Sequence, residues 1–274
     1  MRESSVIQPQ SAFIDAGAAR IHVATWPGPA TCAPLVLLHG IWDTWATFAQ
    51  VAPQFAADRA VYALDLRGHG QSDKPATGYQ ASDYAADVLG VFAALSLAPP
   101  VLLGFSLGAL VAAHLAATHP EYLSRLILED PPYSPDADPR GRAAWLRTLL
   151  DLKRQPFEDV VEGLAELNPT RDRATNELSA RALLVTADGP FQALLDEVNT
   201  PSELPGQLAR VTASALVLRA DPACGGALSD AGYAAVRAAL PAASYVEFPG
   251  SGHLIHAERE HDFVAAVRTF LATG

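Results

Sequence analysis

The sequence is poor in sulfur and in positive charge. Its 274 residues include two cysteines, Cys32 and Cys224. That is too few for a disulfide-built scaffold, and they read as unrelated loop thiols. Against 30 Asp and Glu stand only 19 Lys and Arg, for a net charge of −11. A chain this acidic is repelled by phosphate backbones and anionic lipid, so neither nucleic acid nor a membrane surface is expected as a partner. The opening residues MRESSVIQPQ lack the apolar stretch and small-residue cleavage site of a signal peptide, and a cytoplasmic location is expected. HExxH, CxxC and a G-x-G-x-x-G following a strand are all missing, so no metal and no cofactor are expected. Repeats, heptads and low-complexity linkers are missing too.

What is present is enough apolar residue, 50% against 18% charged, to bury a sizeable core and to exclude disorder. The length suits one large domain or two small ones. From Val88 to Pro120 there is no Asp, Glu, Lys or Arg, yet a membrane span is a poor reading of this stretch. A span needs about 20 predominantly apolar residues, whereas Pro99-Pro100, Gly104 and Gly108 interrupt the run. A buried strand, a sharp turn and a buried helix account for it better.

The wider pattern alternates short apolar runs with helical periodicity, the mark of a parallel α/β sheet. Strands are expected at Leu35–Leu38, Val61–Leu64, Val101–Leu103, Leu126–Leu128, Leu216–Leu218 and Ser244–Phe248. An edge hairpin of Ala12–Asp15 and Ile21–Trp26 precedes them. Helices are expected at Trp45–Phe55, Ala81–Leu95, Leu107–Ala117, Asp230–Leu240 and His261–Ala272. Between residues 134 and 205 the alternation stops. Trp145, Leu146, Leu149 and Leu150, then Val160, Val161, Leu164 and Leu167, recur at helical spacing. Residues 134–205 therefore read as a helical insertion on a core of residues 1–133 and 206–274.

The chemistry centres on Gly104-Phe105-Ser106-Leu107-Gly108, a G-x-S-x-G pattern between an apolar strand and a helical run. A serine on so tight a turn has a strained backbone, and the residues two away must be small for the turn to close. Serine needs an adjacent base. His253, in a glycine-rich loop after the last strand, is the candidate. His256 reads as a surface neighbour, His114 and His119 as packing or capping residues, and His39 and His69 as structural hydrogen-bonding groups.

With these motifs the chain resembles the α/β-hydrolases, specifically the capped subgroup with a serine nucleophile. Leu38-His39-Gly40-Ile41-Trp42 is similar to that family's HG-x loop, Asp65–Ser72 to its D-x-R-G-x-G-x-S loop, and Gly252-His253 to its terminal G-H. The resemblance implies an α/β-hydrolase fold, with a mostly parallel sheet, helices on both faces and a helical cap. It also implies an oxyanion hole made by the backbone amides of Ile41 and Leu107, with Trp42 as a substitute. The family's usual triad acid falls on Ala223. A replacement is expected in Glu129, placed as in some haloalkane dehalogenases and in zearalenone-type lactonases; Asp221 and Asp130 are the alternatives.

A serine nucleophile argues against dehalogenase or epoxide hydrolase chemistry, where this fold uses an aspartate. Hydrolysis of a carboxylic ester or lactone through an acyl-enzyme is expected. Trp42, Phe105, Tyr133, Trp145, Phe157 and Phe191 are candidates to line an apolar, even aromatic, small-molecule site. Amide or C–C hydrolysis, cofactor-independent oxygen chemistry and a non-hydrolytic receptor on the same scaffold remain as alternatives. The expected assembly is a monomer or homodimer.

Overall fold

The alternating runs close into one eight-stranded sheet in the computed structural model, which describes residues 8–196 and 201–273. Residues 1–7, in the opening segment, and 197–200, in the expected insertion, lie outside the described residues. The strands are β1 (Gln10–Asp15), β2 (Arg20–Trp26), β3 (Leu35–Leu38), β4 (Val61–Leu64), β5 (Val101–Phe105), β6 (Arg125–Glu129), β7 (Ser214–Ala220) and β8 (Ser244–Phe248). Their order is β1-β2-β4-β3-β5-β6-β7-β8. The edge hairpin pairs β1 with β2, and β2 joins β4 antiparallel. From β4 to β8 every neighbouring pair is parallel.

The central strands are apolar at successive positions because both sheet faces are covered. Val36, Leu38, Leu102, Leu126 and Leu128 pack on one side with the helix Leu107–Thr118. Leu35, Leu37, Leu103, Phe105, Ile127 and Leu218 pack on the other, against the C-terminal helix Glu260–Ala272. The uncharged stretch is thus β5 followed by a buried helix. Among the described residues no helix is long and apolar enough to cross a membrane.

One expected helix is corrected. Trp45–Phe55 is a 3₁₀ turn, Trp45–Phe48, followed by a short helix, Ala52–Phe55, with Pro53 in its first turn. Proline has no N–H to donate and its ring displaces the preceding turn, so a single helix cannot run through it.

Between β6 and β7 the described residues form the helices Pro139–Leu152, Phe157–Leu167, Arg173–Val185 and Gly189–Leu195, and then the short helix Leu204–Leu208. Asp138 and Asp172 start two of them by accepting backbone N–H groups in the first turn. Leu146, Leu149, Val160, Val161 and Leu164 are buried, as the helical spacing requires. Trp145 and Leu167, more than a third exposed, face a cavity at the C-terminal ends of the parallel strands. In this architecture that edge is where ligands bind, beside the point at which strand order reverses between β3 and β5.

Candidate active site

The turn after β5 forces Ser106 into an unusual backbone geometry, φ 52° and ψ −114°. A non-glycine residue there is strained by about 1–3 kcal/mol, and such strain persists only where its surroundings impose it. Here the surroundings are close. A Cβ on Gly104 would lie 2.1 Å from the Gly108 carbonyl oxygen, and one on Gly108 would lie 2.2 Å from that of Leu38. The two glycines therefore let the helix Leu107–Thr118 nest against β5 and β3. Ser106 is 8% exposed and lines a cavity of about 560 Å³, as does His253.

The acid facing His253 is Asp130. Its Oδ2 lies 2.5 Å from His253 Nδ1, which must carry the proton to donate to a carboxylate. Asp130 also accepts the backbone N–H of Ala220 at 3.2 Å and that of Ala227 at 2.7 Å, and it is fully buried. The expectation that Glu129 meets His253 is corrected. Glu129 points to the other side of the strand end, where it accepts the backbone N–H of His256 at 3.0 Å and its Nδ1–H at 2.9 Å. His256 is accordingly a core residue, 1% exposed, with the Thr47 hydroxyl on its Nε2 at 2.8 Å. Successive strand residues face opposite sides, and Asp130 turns further through a positive φ of 41°. Asp221 meets neither histidine. It accepts the backbone N–H groups of Gly250 and Ala223, and these hold its carboxyl below the usual range.

Ile41 and Leu107 both line the cavity, and neither backbone N–H donates to another described residue. The loop that carries Ile41 is held from behind. His39 Nδ1 donates to the Gly40 carbonyl at 2.7 Å, and its Nε2 accepts the Leu66 N–H at 3.0 Å. Burial, with His69 beside it, drives the His39 pKa down to about 3. His69 Nε2 lies 2.7 Å from the Ile41 carbonyl and so fixes the peptide joining Ile41 to Trp42.

The six aromatic candidates separate. Trp42 and Trp145 wall the cavity, their ring centroids 5.1 Å apart. Phe105 instead lies beneath the imidazole, 4.7 Å from the His253 ring, because its strand position points it into the core. Tyr133 walls a neighbouring pocket of about 660 Å³. Phe157 packs under the Arg181 guanidinium, and Phe191 is fully buried with the Lys153 ammonium 5.8 Å from its ring centroid. Both belong to the helix faces that hold the insertion together, not to the cavity wall.

A profile of the alpha/beta hydrolase family matches residues 35–267. The chain belongs to this family. A pimeloyl-[acyl-carrier protein] methyl ester esterase of Chromobacterium violaceum is 31% identical over 253 residues, covering 87% of this chain and 94% of that protein. A 2-(acetamidomethylene)succinate hydrolase of Mesorhizobium japonicum is 35% identical over 128 residues, 46% of this chain. That match spans only 45% of the relative's length. An esterase of Exiguobacterium antarcticum has the same fold, with TM-score 0.80 at 22% identity, covering 96% of this chain and all of that one.

Two residues of this alpha/beta hydrolase join the site without having been singled out in the sequence. Asp43 and Arg171 are both buried, and both line a second, small cavity beside Ser106 and His253. Asp43 follows the HG-x loop by two residues, so its position alone was a signal. Arg171 lies between two insertion helices and carried none.

Proposed function

We propose that this alpha/beta hydrolase is a serine hydrolase that cleaves a carboxylic ester or lactone of a small, largely apolar substrate through an acyl-enzyme. The observation that carries this reading is a buried carboxylate on His253 Nδ1, with the other imidazole edge free to serve Ser106 across a shared cavity. In the mechanism, Ser106 Oγ attacks the carbonyl carbon as His253 Nε2 takes its proton. Asp130 holds the imidazole in the required tautomer and stabilises its cation. The amides of Ile41 and Leu107 receive the developing negative oxygen, and their alignment before reaction is what makes them effective. His253 then protonates the departing alkoxide, and a water repeats the sequence on the acyl group. The insertion acts as a cap. Trp145, Leu146 and Leu167 from its helices wall the cavity with Trp42 and Leu110 of the core, which selects for apolar groups.

Amide cleavage is the second reading, favoured by the name of the Mesorhizobium relative, a 2-(acetamidomethylene)succinate hydrolase. The test of both is Ser106→Ala against a panel of p-nitrophenyl esters of increasing chain length, aromatic lactones and N-acyl amides. Folded variant protein should lose on the order of 10⁴–10⁶ in turnover on whichever substrate the wild type cleaves. Near-wild-type turnover would refute the serine mechanism, and the preferred member of the panel decides between ester, lactone and amide.

A further inference from the structure

The small cavity beside Ser106 has a volume of about 10 Å³ and is bounded by Gly40, Asp43, Phe105, Ser106, Arg171 and His253 among others. This is room for about one water molecule. Its polar walls are incomplete in an instructive way. Arg171 comes from the loop between two insertion helices, and its side chain is 2% exposed. Its nearest charged neighbour is Glu258, 3.7 Å from Nε, which is too far for a hydrogen bond. Among the described residues its guanidinium makes no hydrogen bond, and its one ion pair is this long contact with Glu258. Asp43, 5% exposed, likewise accepts no hydrogen bond on its side chain. Trp42, on the same wall, has its indole N–H buried without a partner among the described residues.

A guanidinium and a carboxylate that open only onto this small cavity each need a partner inside it, because leaving a charged group there without one would cost about 1–3 kcal/mol or more. They attract each other through space: burial pushes the Asp43 carboxyl up and Arg171 pulls it back, while burial lowers Arg171 and Asp43 opposes that. Yet they do not meet. A water in the cavity they both line would have Asp43 to donate to and Arg171 to accept from.

We infer that this cavity holds the water that hydrolyses the acyl-enzyme, and that Asp43 and Arg171 are its positioning residues. The step balances. The water oxygen bonds to the acyl carbonyl carbon and its proton passes to His253 Nε2. The tetrahedral intermediate then expels Ser106 Oγ, which takes the proton back, and the free acid leaves. Neither Asp43 nor Arg171 has a part in the first half of the reaction, where Ser106 is the nucleophile.

This inference rests on the acyl-enzyme reading, and the experiment separates the two. Wild type, Asp43→Asn, Arg171→Met and Arg171→Lys are compared on p-nitrophenyl acetate in three measurements: turnover, the acylated fraction at steady state by intact mass, and the labelling rate of Ser106 by a fluorophosphonate. The fluorophosphonate needs the serine, histidine and oxyanion donors but no water. Asp43→Asn and Arg171→Met should slow turnover about 10- to 100-fold, raise the acylated fraction and leave labelling within about threefold, since misplacing a reactant by about 1 Å costs rate on that scale. Arg171→Lys should recover part of the loss. A parallel fall in turnover and labelling, with no gain in acylated protein, would show a merely structural role and overturn the inference. A check on the wild type needs no variant: if the nucleophile sits in a space of about one water, excess ethanol should compete poorly and yield little ethyl acetate. Efficient transfer to ethanol would place the nucleophile in the open cavity and overturn the inference. If acyl-Ser106 never forms in the wild type, the acyl-enzyme reading itself fails, and this inference with it.

Discussion

Replacing Asp130 by asparagine tests the arrangement at its most specific point. Asp130 Oδ2 accepts from both His253 Nδ1 and the Ala227 amide, and Oδ1 accepts from the Ala220 amide. Asparagine has one acceptor oxygen where three donors converge. If that oxygen faces His253 and Ala227, the NH₂ opposes the Ala220 N–H. If it faces Ala220, the NH₂ opposes the other two and favours the tautomer with the proton on the wrong ring nitrogen. Stability should fall by about 1–3 kcal/mol for the unmatched buried donor. Turnover should fall about 10⁴-fold, or about 5.4 kcal/mol of activation free energy, by the tautomer argument. Glu129→Gln meets a different environment. Both Glu129 oxygens lie on His256 Nδ1, and one also takes the His256 amide. Glutamine keeps an oxygen for that pair, so the change should cost stability with about tenfold or less in rate. The assay is kcat/KM on the preferred substrate for both variants, beside urea unfolding. Glu129→Gln losing several orders of magnitude while Asp130→Asn stays near wild type would refute the assignment.

Three other perturbations are as direct. Gly108→Ala places a methyl 2.2 Å from the Leu38 carbonyl oxygen; the backbone must move, and a loss of about 3 kcal/mol or more in urea unfolding is expected, whereas a loss below about 0.5 would contradict the close approach. Because His39 titrates at about 3 in the folded protein and near 6.5 when unfolded, the unfolded chain alone binds this proton between those values. Its contribution is complete above about pH 6.5 and declines by about 1.4 kcal/mol per unit as pH falls toward about 3. Unfolding free energies at pH about 7.5 and about 5 should therefore differ by about 2 kcal/mol less in folded His39→Asn than in the wild type, and an unchanged difference would contradict it. Trp145→Ala should raise KM for bulky esters while sparing turnover of a small one, since Trp145 walls the cavity against Trp42 and is not a hydrogen-bond partner of Ser106, Asp130 or His253. Equal loss of turnover on every substrate would give the insertion a part in the chemistry.

Much of this protein was legible in its residues. The tetrapeptides Leu35–Leu38 and Val61–Leu64 are strands with those bounds, because a strand covered on both faces reads as a continuous apolar run. Gly104 and Gly108 announced the tight turn at Ser106 because only hydrogen fits where their side chains would be. Pro53 lay inside the expected helix Trp45–Phe55, and that expectation passed over it. The partner of His253 was not legible. Glu129 and Asp130 are adjacent carboxylates at one strand end, and nothing in their order says which side the histidine loop will approach. The tertiary structure decided it: the chain turns at Asp130, the amides of Ala220 and Ala227 converge on its oxygens, and the other side of the strand is taken by His256. Arg171 and Asp43, far apart in sequence, come to one cavity only because the insertion folds back over the sheet. Local sterics act between near neighbours and can be read along the chain, whereas the pairing of buried charges depends on which distant backbone arrives beside them.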